Sequence, residues 1–437
     1  MNWRYQLEKP VSLAPLVSLR ILVGLLMLVG GIRFLALGWV DSNYVQAKIQ
    51  FKYAGFEWVA MPQPPELLYG LFAVMLLSAV GVLLGAWYRW SAGILWLSFT
   101  YIELLDVSWY LNHYYFISLM LGIMAVLPAH KRYSVDVWRG AVQEHGTVAA
   151  WMVALPRFQL AVLYVYAGVA KMQADWLLDA MPMRLWLPAN NHQPVLGWLF
   201  GWEYSPWLFS WAGMLYDCTI VFWLSWRKSR PWAYATVLVF HGLTGCLFQI
   251  GMFPLVMALI TLVFFEGQTH ERWQRRLFGA RSIASSSAKP TPIYTWVLLS
   301  VFVAFQVLFP WRFVLEPGKL FWTEAGYRFS WRVMLMEKAG TATFYVTDAS
   351  GREGMVHNSD HLLAHQEKQM AFQPDLIVQY AHYLKDHYSS QGQAVTRVRA
   401  EVYVTLNGQP SRLYFSPQLN LLTLQAQGSR HWLYPAP

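Results

Sequence analysis

The stretch LAVLYVYAGVAKMQADW, residues 160–176, decides how the rest of the chain is read. It begins as an apolar run of membrane type and then holds one lysine, Lys171, with Asp175 one helical turn later. A charged ammonium at the centre of a spanning helix costs at least ~2.5–3.5 kcal/mol. Lys171 is therefore near an interface, paired, or neutral and chemically useful, and the remaining sequence serves as a frame around it.

The composition agrees with a membrane setting. Of 437 residues, 56% are hydrophobic and only 13% charged, against about 25% charged in soluble domains. The 24 tryptophans suit long membrane–water boundaries. The formal charge of +9 does not indicate nucleic acid, because the basic residues sit in short clusters between apolar runs. Both cysteines, Cys218 and Cys246, fall in apolar segments, so neither a disulfide framework nor a metal-ligand spacing is expected. The first apolar run follows a polar start and is of full spanning length, which is not the pattern of a cleavable signal peptide.

Working outward from residue 171, nine segments read as spans: 18–40, 67–87, 91–111, 113–127, 154–173, 206–226, 232–248, 250–266 and 293–313. Several fall short of the ~20 residues a perpendicular helix needs, and 113–127 is the weakest. Gly81 and Gly85 form a GxxxG step, read as close helix packing. One set of connecting segments carries Arg4, Lys9, Arg89, Lys131, Arg132, Arg139, Arg227, Lys228, Arg230, Arg272, Arg275, Arg276, Arg281 and Lys289. The opposite set carries Lys48, Lys52 and Arg184. Positive charge marks the cytoplasmic side, and an odd number of spans then leaves the C-terminus outside. Residues 282–292 (SIASSSAKPTP) read as a flexible linker into the last span.

Beyond residue 322 the composition changes. Residues 341–347 and 353–357 flank a turn at 348–351, and 395–406 and 411–415 flank Asn407-Gly408, a strong hairpin signal. Helical spacing between 362 and 388 is interrupted near Pro374. The fold class that follows is a polytopic α-helical membrane protein of about nine transmembrane helices with a C-terminal extramembrane α+β domain. The boundaries are a bundle over 1–318 and an extracytoplasmic domain over 319–437.

Four polar residues stand out in the apolar segments. Lys171 is a snorkelling interface lysine, an ion-pair partner of Asp175, or a desolvated neutral base. Asn112 and His113 lie at the turn between the third and fourth spans, on the same membrane face as Lys171, so two polar elements converge on one level. His241, in the seventh span, is a core histidine, a further site member or a haem ligand. Asp217, Glu103 and Asp106 are the remaining intramembrane acids and read as paired within the bundle. There is no glycine-rich phosphate loop, HExxH, GxSxG or CxxC, which leaves the common hydrolase, kinase and metalloprotease classes without support.

These segments resemble the vitamin K-dependent γ-glutamyl carboxylase family, in a bacterial-type form with an HTTM-like membrane domain. YAGVAKMQADW (166–176) is similar to the family's AGVKKLDADW, and SWYLNHYYF (108–116) to its SWNNHSYL, with YSVD (133–136) downstream. HGLTGCLFQIGMFPLVMA (241–258) is similar to H…LFSIGMFPY, and GYRFSWRVM (326–334) to YGYSWDMM. The resemblance runs in order from about the third span to near residue 422. It implies oxygenation of reduced vitamin K (phylloquinol or menaquinol) to the epoxide, using O2. That step is coupled to removal of a γ-proton from a glutamate in a peptide or protein, which then takes up CO2. It implies Lys171 as the base toward the hydroquinone, with Asn112 and His113 beside it. His241, Trp109 and Trp176 become candidate cofactor-binding residues, and no metal is implied. The partners implied are membrane lipid, the quinol and a glutamate-bearing polypeptide, in a bacterial inner membrane with the C-terminal domain in the periplasm.

The chemistry suits the role. A solvated lysine titrates near ~10.4 and is protonated at neutral pH, whereas a buried one can be the neutral amine a weakly acidic hydroxyl requires. The chain also departs from the family pattern. Ala170 replaces the lysine that precedes the catalytic one in animal members, and the histidine expected after SWDMMV is missing. Gln366-Glu367-Lys368-Gln369-Met370 stands where QSRRW is expected. These departures bear on polypeptide recognition more than on quinol oxidation. The alternatives are an epoxidase without protein carboxylation, a non-catalytic quinone- or haem-binding protein using His113 and His241, and a transporter-like scaffold.

Overall fold

The computed structural model describes residues 3–248, 250–280 and 290–437. The linker expected over 282–292, with Arg281 and Lys289, falls outside the described residues as far as residue 289. Each of the nine apolar segments contains a helix. The bundle runs through α1 (Ala14–Ala36), α2 (Leu67–Leu84), α3 (Tyr88–Glu103), α4 (Asn112–Val126), α5 (Ala150–Ala170), α6 (Ser205–Ser225), α7 (Arg230–Leu247) and α8 (Phe253–Thr261). It continues with the basic amphipathic α9 (Gly267–Phe278) and the apolar α10 (Ile293–Leu308).

Five of these helices are long and apolar enough to cross a membrane: α1, α2, α5, α6 and the segment Ile293–Leu315 that α10 begins. A sixth arises if Phe253–Phe264 and Gly267–Phe278, which meet at 112°, count as one span. The other segments fall short for visible reasons. Helices α3 and α4 have 16 and 15 residues, and α7 carries Arg230, Tyr234, Thr236, His241 and Thr244. The Gly81/Gly85 step does more than pack helices. Gly85 ends α2 in the left-handed conformation, φ 65°, which opens the tight return into α3.

The C-terminal region forms an antiparallel sheet of β1 (Lys338–Asp348), β2 (Glu353–Val356), β3 (Val395–Leu406) and β4 (Arg412–Leu413), in the order β2-β1-β3-β4. Both hairpins expected from the sequence are present. Alternate residues Val398, Ala400, Val402 and Val404 of β3 are fully buried, as the period of two in a strand dictates. They face α12 (Pro374–Ser390), which follows α11 (Ala364–Met370) across the break at Pro374 and buries Leu376, Ile377, Tyr380 and Leu384.

This region docks on the bundle end where α5 terminates. Gln366 Nε2 donates to Asp106 Oδ2 at 2.6 Å, and the His365 ring stacks on Trp109 at 3.8 Å. Asn407 Nδ2 donates to Asp175 Oδ2 at 2.9 Å, and Trp186 Nε1 donates to Glu337 Oε2 at 2.7 Å. Between α10 and the sheet the GYRFSWRVM motif forms a strap across this mouth. Phe329, Trp331 and Met334 adopt positive φ (59°, 59° and 52°), a backbone state costly for large side chains. The strap is held there by Phe329 N donating to Tyr110 Oη at 2.8 Å, Asn112 Nδ2 donating to the Arg332 carbonyl at 3.0 Å, and Trp331 stacked on Tyr115.

Candidate functional site

Helix α5 stops at Ala170 and Lys171 is its C-cap. The lysine is buried, at 6% exposure. Its Nζ donates to Asp217 Oδ2 at 2.7 Å and to the Ala167 carbonyl at 3.2 Å, and lies 5.3 Å from the centre of the Trp176 ring. Asp217 comes from the middle of α6, and its approach depends on Gly168. A Cβ there would lie 2.5 Å from Cys218 Sγ and 2.6 Å from the Cys218 backbone nitrogen. The Lys171–Asp175 pair, one of the three readings of this lysine, does not form. With the helix ended, the i,i+4 geometry that would join them is lost, and Asp175 turns to Asn407 instead.

Lys171 and Asp217 line a small apolar chamber of about 110 Å³ with Trp176, Tyr164 and His241. Tyr164 Oη and His241 Nε2 lie 3.0 Å apart, while His241 Nδ1 is buried without a hydrogen-bond partner among the described residues. Asn112, His113 and Trp109 line a different and larger cavity, of about 680 Å³. Arg33, Glu103 and Arg332 join them there. Most of the remaining lining is apolar and includes Val23, Leu26, Phe72, Met120, Val256 and Ile260, with Asn43 and four tyrosines among it. Among the described residues His113 makes ring contacts with Tyr114 and Phe253 and no hydrogen bond. Asn112 is engaged through both ends of its amide, since its Oδ1 also accepts from Tyr110 Oη at 3.0 Å.

The six candidates thus fall into two groups of three, separated by a thin wall. Ile250, Phe253, Val333 and Met334 line both cavities. The Phe253 ring lies 5.5 Å from that of His113 and 5.6 Å from that of His241. A third cavity, of about 740 Å³, opens beside the end of α5 and is lined by Val169, Ala170, Asp175, Arg184, Asn407 and Arg332 among others. The strap therefore touches all three.

Sequence reading missed Asp217 as the partner of Lys171, and it missed Phe253, Val333 and Met334 as a wall. The motifs containing the wall residues were legible, but their position between two cavities has no local signal. Of the other intramembrane acids, Asp106 accepts from the Ser108 backbone nitrogen within the bundle and from Gln366 of the docked region, and Glu103 has no ion pair among the described residues. Both cysteines are free, and no metal-holding cluster exists among the described residues.

A family model described as HTTM domain matches residues 8–268. A second, described as vitamin K-dependent gamma-carboxylase, lumenal domain, matches residues 292–437 and so includes α10 as well as the sheet region. No solved structure matches the chain.

Proposed function

The chain belongs to the vitamin K-dependent gamma-carboxylase family, and from that premise we propose that it oxidises a reduced naphthoquinone in the membrane, with Lys171 as the base and a glutamate side chain as the carboxyl acceptor. The observation that carries this reading is a buried lysine hydrogen-bonded to a buried carboxylate, separated by one layer of side chains from an amphipathic cavity of quinol-holding size. Ligand pockets of ~300–1,000 Å³ with few polar groups are typical of small-molecule sites.

The cavity of about 680 Å³ suits a quinol. The ring would lie at the polar end, near Asn112 and His113, and the isoprenoid tail along the apolar stretch from Val23 to Ile260. Bound there, the quinol supplies reducing equivalents to O2, and its conversion to the epoxide is coupled to loss of a glutamate γ-proton and addition of CO2. The protein's own part is proton handling. Lys171 Nζ and Asp217 Oδ2 lie 2.7 Å apart, and the pair carries no net charge whichever of the two holds the proton, so it adds none to a dry site. With the proton on Asp217, Lys171 is the free amine that accepts a hydroxyl proton. Phe253, Val333 and Met334 must move aside for this transfer. His113 makes no hydrogen bond among the described residues and can donate one to the oxygen left behind, where low dielectric strengthens it.

A haem between His113 and His241 has less support, because the Phe253 ring lies between the two imidazoles and the chamber beside His241 is only about 110 Å³. The test is incubation of purified protein with reduced vitamin K and oxygen, followed by chromatography for the epoxide. Absence of epoxide from folded protein overturns the reading, and a Soret band that shifts in His241→Ala would favour haem. His113→Ala should lower the epoxidation rate by ~10²–10³-fold, the usual cost of one lost oxyanion donor.

A further inference from the structure

We propose that α9, with Arg272, Arg275 and Arg276, is a docking surface for the headgroups of anionic phospholipids. The inference goes beyond the quinol reading and does not depend on it. Helix α9 sits at the bundle end opposite the sheet region, where Tyr133 Oη donates to the Gly279 carbonyl just past its last turn.

The level of α9 is set by α1. Gln274 Nε2 donates to the Ala14 carbonyl at 2.8 Å and to Ser18 Oγ at 3.0 Å, and Ser12 Oγ donates to Glu271 Oε1 at 2.7 Å. A Cβ on Gly267 would collide with the Ser12 side chain, so α9 begins in direct contact with the start of α1. Helix α1 is long and apolar enough to cross a membrane. Its first turn therefore marks a membrane surface, and α9 packs at that level. The 112° turn between Phe253–Phe264 and Gly267–Phe278 lays α9 across the bundle end rather than along it.

The residues of α9 divide as that position requires. His270, Trp273, Gln274 and Leu277 follow the i, i+3, i+4, i+7 spacing of one helical face. His270 and Gln274 are buried against the bundle, while Trp273 and Leu277 are 37% and 75% exposed. The three arginines lie on the opposite side. The acid they have within the helix is Glu271, which Arg275 and Arg132 already share at 3.8 and 4.0 Å. Arg272 and Arg276 are exposed and have no ion pair among the described residues. In water this arrangement leaves a bare leucine beside two unpaired charges. Against a bilayer, Trp273 and Leu277 enter the acyl boundary and the guanidinium groups meet phosphate, as in other basic amphipathic helices that lie in an interface. A zwitterionic headgroup brings its own cation, so the charge match selects anionic lipid. Helix α9 follows α8 through Leu262–Phe264, and Val256 and Ile260 of α8 line the cavity of about 680 Å³. Lipid bound here thus steadies one wall of that cavity.

The test needs no quinol. The purified full chain is placed in nanodiscs of an equal mixture of phosphatidylglycerol and phosphatidylcholine, and the lipids it retains on release are counted by native mass spectrometry. The native chain should retain phosphatidylglycerol in preference. One arginine near an anionic lipid surface is worth about fivefold in affinity, so Arg272→Gln combined with Arg276→Gln should lower the ratio by roughly 10-fold or more, at an unchanged thermal midpoint. Lysine at both positions keeps the charge and should keep most of the ratio. The control is Lys385→Gln combined with Arg412→Gln, two exposed positions in the sheet region, which removes the same charge elsewhere and should leave the ratio as it was. No preference in the native chain, an undiminished ratio in the α9 variant, or an equal fall in the control overturns the proposal. Loss of the preference on adding inorganic phosphate at constant ionic strength assigns the arginines to free anions and overturns the lipid assignment.

Discussion

At the scale of single residues, Lys171 and Asp217 are one unit, and this changes what substitution should do. A lysine standing alone in an apolar run would be a costly amine whose deletion need not lower stability. The structure pairs it with a carboxylate that is equally buried, and removing one member of such a pair typically costs ~3–5 kcal/mol. Lys171→Ala should therefore abolish epoxide formation and also lower the thermal midpoint, read by tryptophan fluorescence. Adding Asp217→Asn should recover part of the lost stability and none of the activity. Lys171→Arg should be stable but inactive, since a guanidinium keeps its proton and cannot act as a base. Most of the activity surviving in the arginine variant would remove Lys171 from the chemistry. Lys171 was legible because a charge in an apolar run is conspicuous. Its partner was not, because Asp217 lies 46 positions away on another helix and no spacing rule encodes that contact. Asp175, four positions on, was the partner that helical spacing offered, and that pair does not form because the helix ends one residue before the lysine.

At the scale of elements, the site is set by how closely α5 and α6 approach. Gly168 marks that approach, with backbone atoms of α6 where a methyl group would sit. Gly168→Ala should push α6 outward, cost about 1–3 kcal/mol as overpacking does, and lower epoxidation by separating Asp217 from Lys171. Gly242→Ala on α7 is the control, because nothing lies within 4 Å of its added carbon and it should leave the thermal midpoint within error or slightly raised. A Gly168→Ala protein as stable and active as the native chain would show that the helices have room to spare. The first turn of α12 provides a second check. Arg328 Nη1 donates to Asp375 Oδ2 at 2.6 Å. Burial alone would push this carboxyl up, but the Arg328 charge and its hydrogen bonds outweigh burial and hold it below the usual carboxylate range. A carboxyl lower in the folded chain than in the unfolded one contributes stability that is complete above the unfolded value of 3.8 and lost as pH falls through the folded value. Acid titration of the native chain against Asp375→Asn should show a stability difference at neutral pH that shrinks below about pH 4. A difference that stays constant to pH 2 would mean the ion pair does not set it. The hairpins and the α11–α12 break were readable because alternation, Asn-Gly and proline are local signals. The strap was readable only as a motif, because its positive-φ residues are large aromatics and a methionine rather than glycine.

At the scale of the whole molecule, the polar features separate to opposite ends of the bundle, and this separation argues for one orientation. At one end Arg20 Nη2 donates to the Tyr133 carbonyl at 2.6 Å, Asp136 accepts from the backbone nitrogens of Trp87 and Tyr88, and Tyr133 Oη donates to the Gly279 carbonyl at 2.9 Å. These contacts gather the basic stretches around residues 89, 131–139 and 272–276 on one face. At the other end lie Asp106, Asn112, the end of α5 and the docked sheet. A bias of lysine and arginine fixes the cytoplasmic face, so the sheet region should be outside, with Lys171 near the outer surface. The number of crossings is where sequence and structure diverge in emphasis. Nine segments carry helices, yet five or six have the length and apolarity to cross unaided. A short helix can still cross when its polar groups are buried by neighbours and the bilayer adjusts, and hydropathy cannot report that. Reporter fusions at residues 87, 140 and 437 decide the matter. Positions 87 and 140 are separated by α3 and α4 and should report the same, cytoplasmic side. Position 437 follows five further helices of the nine and should report the opposite side. Disagreement between 87 and 140 would mean that one of the short pair α3–α4 does not cross. Agreement between 140 and 437 would overturn the odd number of crossings, with α7 or α8, whose crossing is least secured by length and apolarity, the helix to remove from the count.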